Sequence, residues 1–348
     1  MALPSSGAIS LNAVNVELGL TATAQISLND SSVRSLFGVA SGAISLSNGY
    51  GLSSLPSFAP FVGGAVTNSS TATAANQKYL FSNDSVTSGT SYPVTVLAPV
   101  ASGNTTTVCY RYVSTRYLYS YSGDAWTAGL ALPTVSGYPP STYGGSISSK
   151  TIAYDKVDGA ATGETLKYTY STATSSAGTT LTYACAVVTC VGNSTKGLFG
   201  GGYIGSTNYT TTSKYTYSND TTAAGTNLTI GRFWMTGTGI STAGYYCGGY
   251  AYNGGAGVHY STIMSYTYSN DTVSNANNLA VATAFLASGG STTKGIIAGG
   301  NTDINSLSYP FSANTSKYTY SANTVASGGS LTTPRSQLAG PGATPAAI

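Results

Sequence analysis

The octet Lys214-Tyr215-Thr216-Tyr217-Ser218-Asn219-Asp220-Thr221 returns along most of this chain, and a repeat at a near-constant period constrains a fold more than any other sequence feature. Close copies are Tyr266-Thr267-Tyr268-Ser269-Asn270-Asp271-Thr272, Lys317-Tyr318-Thr319-Tyr320-Ser321 and Lys167-Tyr168-Thr169-Tyr170-Ser171. Weaker ones are Lys78-Tyr79-Leu80-Phe81-Ser82-Asn83-Asp84 and Tyr119-Ser120-Tyr121-Ser122-Gly123-Asp124. The first aromatics therefore fall at 79, 119, 168, 215, 266 and 318, six units about 40 to 52 residues apart. Within a unit Tyr-Thr-Tyr-Ser alternates large and small with period two, Asn-Asp is turn chemistry, and the Thr/Val/Ala run that follows reads as a returning strand.

A further apolar strand precedes each hairpin and ends in paired glycines, as in Phe61-Val62-Gly63-Gly64, Leu198-Phe199-Gly200-Gly201-Gly202, Tyr246-Cys247-Gly248-Gly249 and Ile297-Ala298-Gly299-Gly300. One more apolar segment, such as Phe233-Trp234-Met235 or Phe285-Leu286-Ala287, completes four strands per period, the pattern of a β-propeller blade. Gly201, Gly248 and Gly299 each lie 31 residues after a hairpin Tyr, whereas the stretch to the next Tyr varies over 14, 18 and 19 residues. Length variation thus collects in the connection between second and third strands, on one face, where binding usually resides. The first unit begins at its second strand and Ser336-Gln337-Leu338-Ala339 stands where a first strand belongs, so the two ends are expected to close a ring.

The unit resembles the kelch repeat, with its glycine doublet, following aromatic, turn and Leu, and in two copies a further Arg (Arg232, Arg335). The expected fold class is mainly β, a six-bladed kelch-like β-propeller over 56–348 preceded by a small α+β attachment module over 1–55. In that module Ile9-Ser10-Leu11-Asn12 recurs as Ile26-Ser27-Leu28-Asn29, and Ser6-Gly7-Ala8-Ile9-Ser10-Leu11 as Ser41-Gly42-Ala43-Ile44-Ser45-Leu46. Each copy reads as a short strand, an Asn or Asp cap and a brief helix closed by Gly. So short a segment has little core of its own, and its apolar positions Ile9, Leu11, Val14, Leu18, Ile26, Leu28, Ile44 and Leu46 are the candidates for docking on a partner.

The opening Leu3-Pro4-Ser5-Ser6-Gly7-Ala8-Ile9-Ser10-Leu11 is similar to the start of many tailed-bacteriophage virion proteins, tail-fibre and baseplate-attached proteins among them. The resemblance implies a structural protein made in the host cytoplasm and carried in several copies on the particle, with other virion proteins as partners. On this reading the propeller recognises a host-surface polysaccharide. The alternative is a capsid or tail decoration or connector protein that binds no receptor.

Charge narrows the chemistry. Only 7% of residues are charged and the 13 basic ones are scattered, so a footprint for nucleic acid is missing. No run of 18 apolar residues argues for membrane insertion, and the start lacks the basic and apolar segments of a secretory signal. His259 is the sole histidine, and Cys109, Cys185, Cys190 and Cys247 match no zinc or redox spacing and read as buried thiols. The recurrent Asn-Asp pairs offer oxygen ligands for calcium, but a hairpin turn explains them without a metal. Ser122-Gly123-Asp124-Ala125-Trp126 resembles the Asp-box of six-bladed sialidases, which makes a glycan-cleaving enzyme the third reading. The expectation is nevertheless no enzyme, no cofactor and no metal. The candidate ligand-binding residues are Tyr203, Asn208, Tyr209, Tyr250, Tyr252 and Asn253 in the long variable connections, where Tyr and Asn suit stacking on sugars or else cover blade interfaces.

Overall fold

The computed structural model describes residues 3, 6–18, 20–37, 39, 41–49, 57–66, 71–103, 107–112, 115–129, 150–154, 163–169, 172, 174–254, 256–303 and 310–342. The chain divides into two compact units, Met1–Pro56 and Ser57–Ile348.

In the second unit the period-two segments become antiparallel sheets in chain order. The first contains Phe58–Val62, Asn76–Leu80 and Val86–Ser88; the second Val100–Gly103, Thr107–Tyr112, Thr115–Ser120 and Ala125–Ala128. The third contains Lys150–Tyr154, Thr165–Thr169 and Thr174–Ala177; the fourth Thr189–Gly192, Lys196–Gly200, Thr212–Thr216 and Thr221–Ala224. The fifth contains Thr236–Gly239, Ala243–Cys247, Thr262–Thr267 and Thr272–Asn278; the sixth Ala287–Gly290, Lys294–Ala298, Thr315–Thr319 and Thr324–Ser327. The arrangement is mainly β and a β-propeller, with five blades recognisable.

The repeated tyrosine is the centre of each sheet's packing. Tyr79, Tyr119, Tyr168, Tyr215, Tyr266 and Tyr318 are all buried, while the residue that follows each (Leu80, Ser120, Thr169, Thr216, Thr267 and Thr319) is half-exposed, as alternation across a strand requires. Three of these rings face glycine across the sheet, Tyr215 opposite Gly197, Tyr266 opposite Gly244 and Tyr318 opposite Gly295. The turn that follows is built by an Asp or Asn in the left-handed region (Asp84, Asp124, Asp220, Asp271, Asn323), the residues that tolerate it best after glycine. Its side-chain oxygen accepts the hydroxyl of the Tyr five residues earlier: Tyr79 to Asp84 at 3.0 Å, Tyr119 to Asp124 at 2.6 Å, Tyr215 to Asp220 at 3.1 Å.

The second carboxylate oxygen of each turn Asp ties one sheet to its neighbour. Lys78 of the first sheet reaches Asp124 of the second at 2.5 Å, and Lys167 of the third reaches Asp220 of the fourth at 2.5 Å. Lys214 of the fourth pairs with Asp271 of the fifth, and Lys317 of the sixth with Asp84 of the first. That last pair joins the two ends of the unit, and the backbone does the same. Val62 and Ala339 exchange N–H···O bonds of 2.8 and 3.0 Å, and the Ala65 N–H donates to the Ser336 carbonyl at 2.9 Å. The C-terminal stretch therefore occupies the inner edge of the first sheet.

The inner strands are made of small residues because neighbouring sheets converge there. A Cβ on Gly237 would lie 2.4 Å from the Cys190 carbonyl of the adjacent sheet. Hydroxyls bridge the same gap, with Thr236 Oγ1 donating to Ser288 Oγ at 2.7 Å and Ser288 Oγ to the Gly237 carbonyl at 2.6 Å. All four cysteines are buried thiols, as their spacing implies.

The first unit departs from its expectation. It holds two short helices, α1 (Leu11–Glu17) and α2 (Ser31–Leu36), and a 3₁₀ turn at Leu46–Gly49, with no strand among its described residues. Ser10, read from sequence as part of a strand, instead caps α1: its side chain accepts the Ala13 N–H at 3.1 Å. The proposed docking residues are also differently placed. Ile9 and Val14 are buried with Leu3, Val33 and Phe37, and Leu18, Ile26, Leu28, Ile44 and Leu46 pack against that cluster. Of the eight only Leu11 is exposed, and it is joined at the surface by Val16 and Leu20. Two helices and a turn bury an apolar set that looked too small to do so.

Candidate functional site

Because strands in each sheet alternate in direction, the connection between second and third strands lies at the same end as the entry to the inner strand. At that end two extra hairpins rise, Tyr203–Ile204 with Thr207–Asn208 and Tyr250–Asn253 with Ala256–His259. They start directly after the glycine doublets, whose two residues have φ of 76° and 102° at Gly201 and Gly202. The left-handed turn is obligatory, since a Cβ on Gly202 would stand 2.5 Å from the Ala186 carbonyl.

The residue after each doublet pairs with the entry segment of the inner strand: Tyr203 with Ala186, Tyr250 with Phe233, Asn301 with Ala284 and Ala65 with Ser336. The next residue along each entry segment is left-handed: Val187 (φ 56°), Trp234 (53°), Phe285 (56°) and Gln337 (54°), with Ala98 (46°) before the inner strand of the second sheet. All five are half-buried, and together they form a collar at the loop end of the inner strands. A left-handed conformation is a genuine outlier for β-branched Val and for bulky aromatics, and costs on the order of 1–3 kcal/mol at each site. Backbone bonds between neighbouring sheets hold it there: the Phe285 N–H donates to the Trp234 carbonyl and the Gln337 N–H to the Phe285 carbonyl, both at 3.1 Å. Among the described residues every left-handed position that is not Gly, Asp or Asn falls in this collar, which marks this end as the candidate site.

An aromatic strip runs into the collar. Tyr203 stacks on Phe233 with centroids 4.2 Å apart, Phe233 meets Trp234 edge-on at 4.5 Å, and Trp234 stacks on Phe285 at 3.9 Å. Tyr252 caps the outer end, 5.2 Å from Phe233 and 5.8 Å from Tyr203. Burial, with the neighbouring Tyr252 as the next contribution, raises the Tyr203 hydroxyl above its ordinary pKa.

The six residues singled out from sequence divide. Tyr203 is half-exposed on the strip, while Tyr252 and Asn253 are exposed. Tyr250 is buried beneath them. Asn208 is a latch between the hairpins, its amide donating to the Tyr252 carbonyl at 2.8 Å and its carbonyl oxygen accepting the Tyr252 N–H at 3.0 Å. Tyr209 packs instead against the cluster around Leu181, Cys185 and Phe199. Sequence reasoning missed Trp234, Phe285, Val187 and Gln337 as a set. The signal was present, since 98, 187, 234, 285 and 337 each lie 19 residues after the first aromatic of their unit. Trp234 and Phe285 had been read as strand residues, but the inner strands start two positions later, at Thr236 and Ala287.

The charges keep away from the strip. Arg232 and Arg335 are fully buried under the collar; Arg335 donates to the carbonyls of Gly63 and Ala75 at 2.9 and 3.1 Å and to Gln77 Oε1 at 2.8 Å. Arg111 and Arg116 are buried as well, and the Arg116 guanidinium lies 4.0 Å from the Tyr168 ring centroid. His259 is half-buried in its hairpin, where burial pulls its pKa down against the opposing influence of Asp303. Among the described residues, no group of three or more His, Cys, Asp or Glu is arranged to hold a metal ion.

No family model and no curated protein matches this sequence. Solved structures do match in shape. One, titled "Structure of YjhT", superposes with a TM-score of 0.61 over 79% of this chain and 99% of that one, at 11% identity. At that identity the likeness defines the class alone: this is a β-propeller protein.

Proposed function

We propose that this protein is a non-enzymatic recognition component of a tailed-phage particle, whose propeller presents the aromatic collar to a glycan on the host surface. The observation that carries the reading is the collar itself, with Trp234 and Phe285 held half-exposed in a costly backbone conformation next to Tyr203 and Tyr252. A packing role alone gains nothing from left-handed Trp and Phe, whereas a preorganised stacking surface does. A binding rather than cleaving surface is favoured by the turn carboxylates Asp84, Asp124 and Asp271, which are bonded to Lys and Tyr at the far end of the sheets.

The scaffold is proposed to be a ring of six kelch-like blades, with the sheet at Lys150–Tyr154, Thr165–Thr169 and Thr174–Ala177 as one of them. Side-chain links support that count. Lys78–Asp124 joins sheets one and two, Arg116 to Ser175 two and three, Lys167–Asp220 three and four, and Lys214–Asp271 four and five. Thr238 to Tyr320 then joins five and six, and Lys317–Asp84 six and one. The likeness of residues 3–11 to virion proteins supports the location, and exposed Leu11, Val16 and Leu20 are the surface by which the first unit would attach to a tail or baseplate protein. The test is saturable binding of the purified full-length protein to host cells, with competition against adsorbing particles. Absence of both from folded protein displayed in multivalent form would refute recognition.

A further inference from the structure

We infer that the collar takes an uncharged glycan, through stacking on Phe285 and Trp234 and hydrogen bonds to the Gln337 side-chain amide. The inference rests on the recognition reading above and narrows its ligand. A pyranose ring presents a face of C–H bonds and a rim of hydroxyls. A protein surface that holds it therefore needs an exposed aromatic beside groups that both donate and accept.

The described residues supply that pair. Phe285 is stacked by Trp234, and no other ring contacts it among the described residues. Its carbonyl receives the backbone N–H of Gln337, which places the next collar side chain beside it. The Gln337 amide makes no hydrogen bond to any described residue and is half-exposed, so two N–H groups and one carbonyl oxygen remain to meet hydroxyls. Exposed Asn253 offers a second amide near the outer end of the strip, beyond Tyr252.

The charges of the described residues argue against an acidic ligand. Carboxylates, sulfates and phosphates are recognised by accessible guanidinium or ammonium groups. All four arginines of this unit are buried, and Arg335 is consumed by backbone carbonyls. The lysines whose side chains are described gather at the opposite end. Lys78, Lys167, Lys214 and Lys317 are paired with turn aspartates, Lys196 donates to the Tyr268 carbonyl, and Lys294 stands near Asp84. Among the described residues the collar end has no exposed cation, so an acidic polymer finds none there to neutralise it.

The experiment uses the full-length protein and host-surface polysaccharide separated by anion exchange into neutral and acidic fractions, each titrated calorimetrically. Saturable binding is expected with the neutral fraction alone, unchanged on raising salt to about 0.5 M, where charge pairing at a surface is screened. Phe285→Ala and Gln337→Ala should each weaken it at least tenfold with circular dichroism and melting temperature retained. Should Phe285→Ala fail to fold, Gln337→Ala carries the test, since that amide bonds to no described residue. Binding confined to the acidic fraction, or abolished by salt, overturns the uncharged-ligand inference and leaves glycan recognition standing. Binding to whole cells but to neither fraction overturns it too, because the receptor is then not a polysaccharide. Failure to bind cells at all refutes the recognition reading itself.

Discussion

Arg335→Met and Arg232→Met should separate sharply in stability although the two arginines occupy the same repeat position and are equally buried. Burial pulls both guanidinium pKa values down to about 10, so both remain charged at neutral pH. Arg335 has its cost repaid, with contacts of 2.9 Å to the Gly63 carbonyl, 3.1 Å to Ala75, 3.4 Å to Phe61 and 2.8 Å to Gln77 Oε1. Every one of these spans from the C-terminal stretch to the first sheet. Arg232 makes one such bond, 3.0 Å to the Thr262 carbonyl, with the Tyr260 ring 5.2 Å from its guanidinium. Its Nε and Nη1 have no partner among the described residues, and Met264 stands where Gln77 stands in the first sheet. A hydrogen bond to a charged group contributes about 1.5–3 kcal/mol, and removing a buried charge recovers several kcal/mol of desolvation. With three bonds at 3.1 Å or shorter against that recovery, Arg335→Met should cost about 3–5 kcal/mol. Arg232→Met, with one bond lost, should fall near zero. At roughly 2–4 °C per kcal/mol for a domain of this size, the first melts about 6–20 °C lower and the second within a few degrees of the parent. Differential scanning calorimetry at pH 7 decides it. Equal losses, or a loss from Arg232→Met exceeding that from Arg335→Met, would show that bonding to the first sheet is not what offsets burial of the charge.

Three other outcomes are expected. Lys317 is the main influence holding the Asp84 carboxyl below its ordinary pKa; for Asp124 and Asp271 burial pushes upward and is outweighed by Lys78 with Tyr119 and by Lys214 with Tyr266. Folded values below the unfolded value of about 3.9 mean stability that is complete above that pH and lost as pH falls through the folded values. The melting temperature should therefore decline gently as pH falls below about 6.5, where unfolding frees His259 to take a proton, and steeply below about pH 4, where the carboxylates protonate. The triple variant Asp84→Asn, Asp124→Asn, Asp271→Asn should be less stable at pH 7 and lose less on acidification, and an unchanged acid slope would count against the ion pairs. Gly257→Ala places a Cβ 1.4 Å from the Tyr250 hydroxyl, so the hairpin must shift; ligand binding should drop while the melting temperature falls by only a few degrees. Asn208→Ala removes the latch at the Tyr252 backbone and should raise amide hydrogen exchange in residues 250–259 without altering exchange in Thr315–Thr319.

Much of the fold was legible because each unit must satisfy the same local requirements. The Tyr-Thr-Tyr alternation, the turn Asp and the glycine doublet each answer a demand within one sheet: a buried face, a left-handed turn, a close backbone approach. The placing of Ser336–Ala339 beside the first sheet was equally readable, from the strand that sheet lacked. The first unit was misread for a related reason. Ile9-Ser10-Leu11 alternates like a strand but is too short for periodicity to distinguish strand from helix, and the Ser10 side chain decides for the helix by taking the Ala13 N–H.

The site depended on relations that no single unit contains. Asn208 looked like a ligand contact until the neighbouring hairpin placed the Tyr252 backbone within its reach. Trp234 and Phe285 looked like the start of inner strands because they are the most apolar residues nearby. Where neighbouring sheets converge the inner strands carry no aromatic, only residues no larger than Val, and the large rings lie two residues outward in the collar. What the sequence determined by itself is the blade unit, its spacing and the closure of its ends, because each follows from the strands that a single sheet must contain. Which aromatics are buried, which are held half-exposed and where the charges lie was decided by the tertiary structure alone, because those properties arise only when one sheet packs against the next.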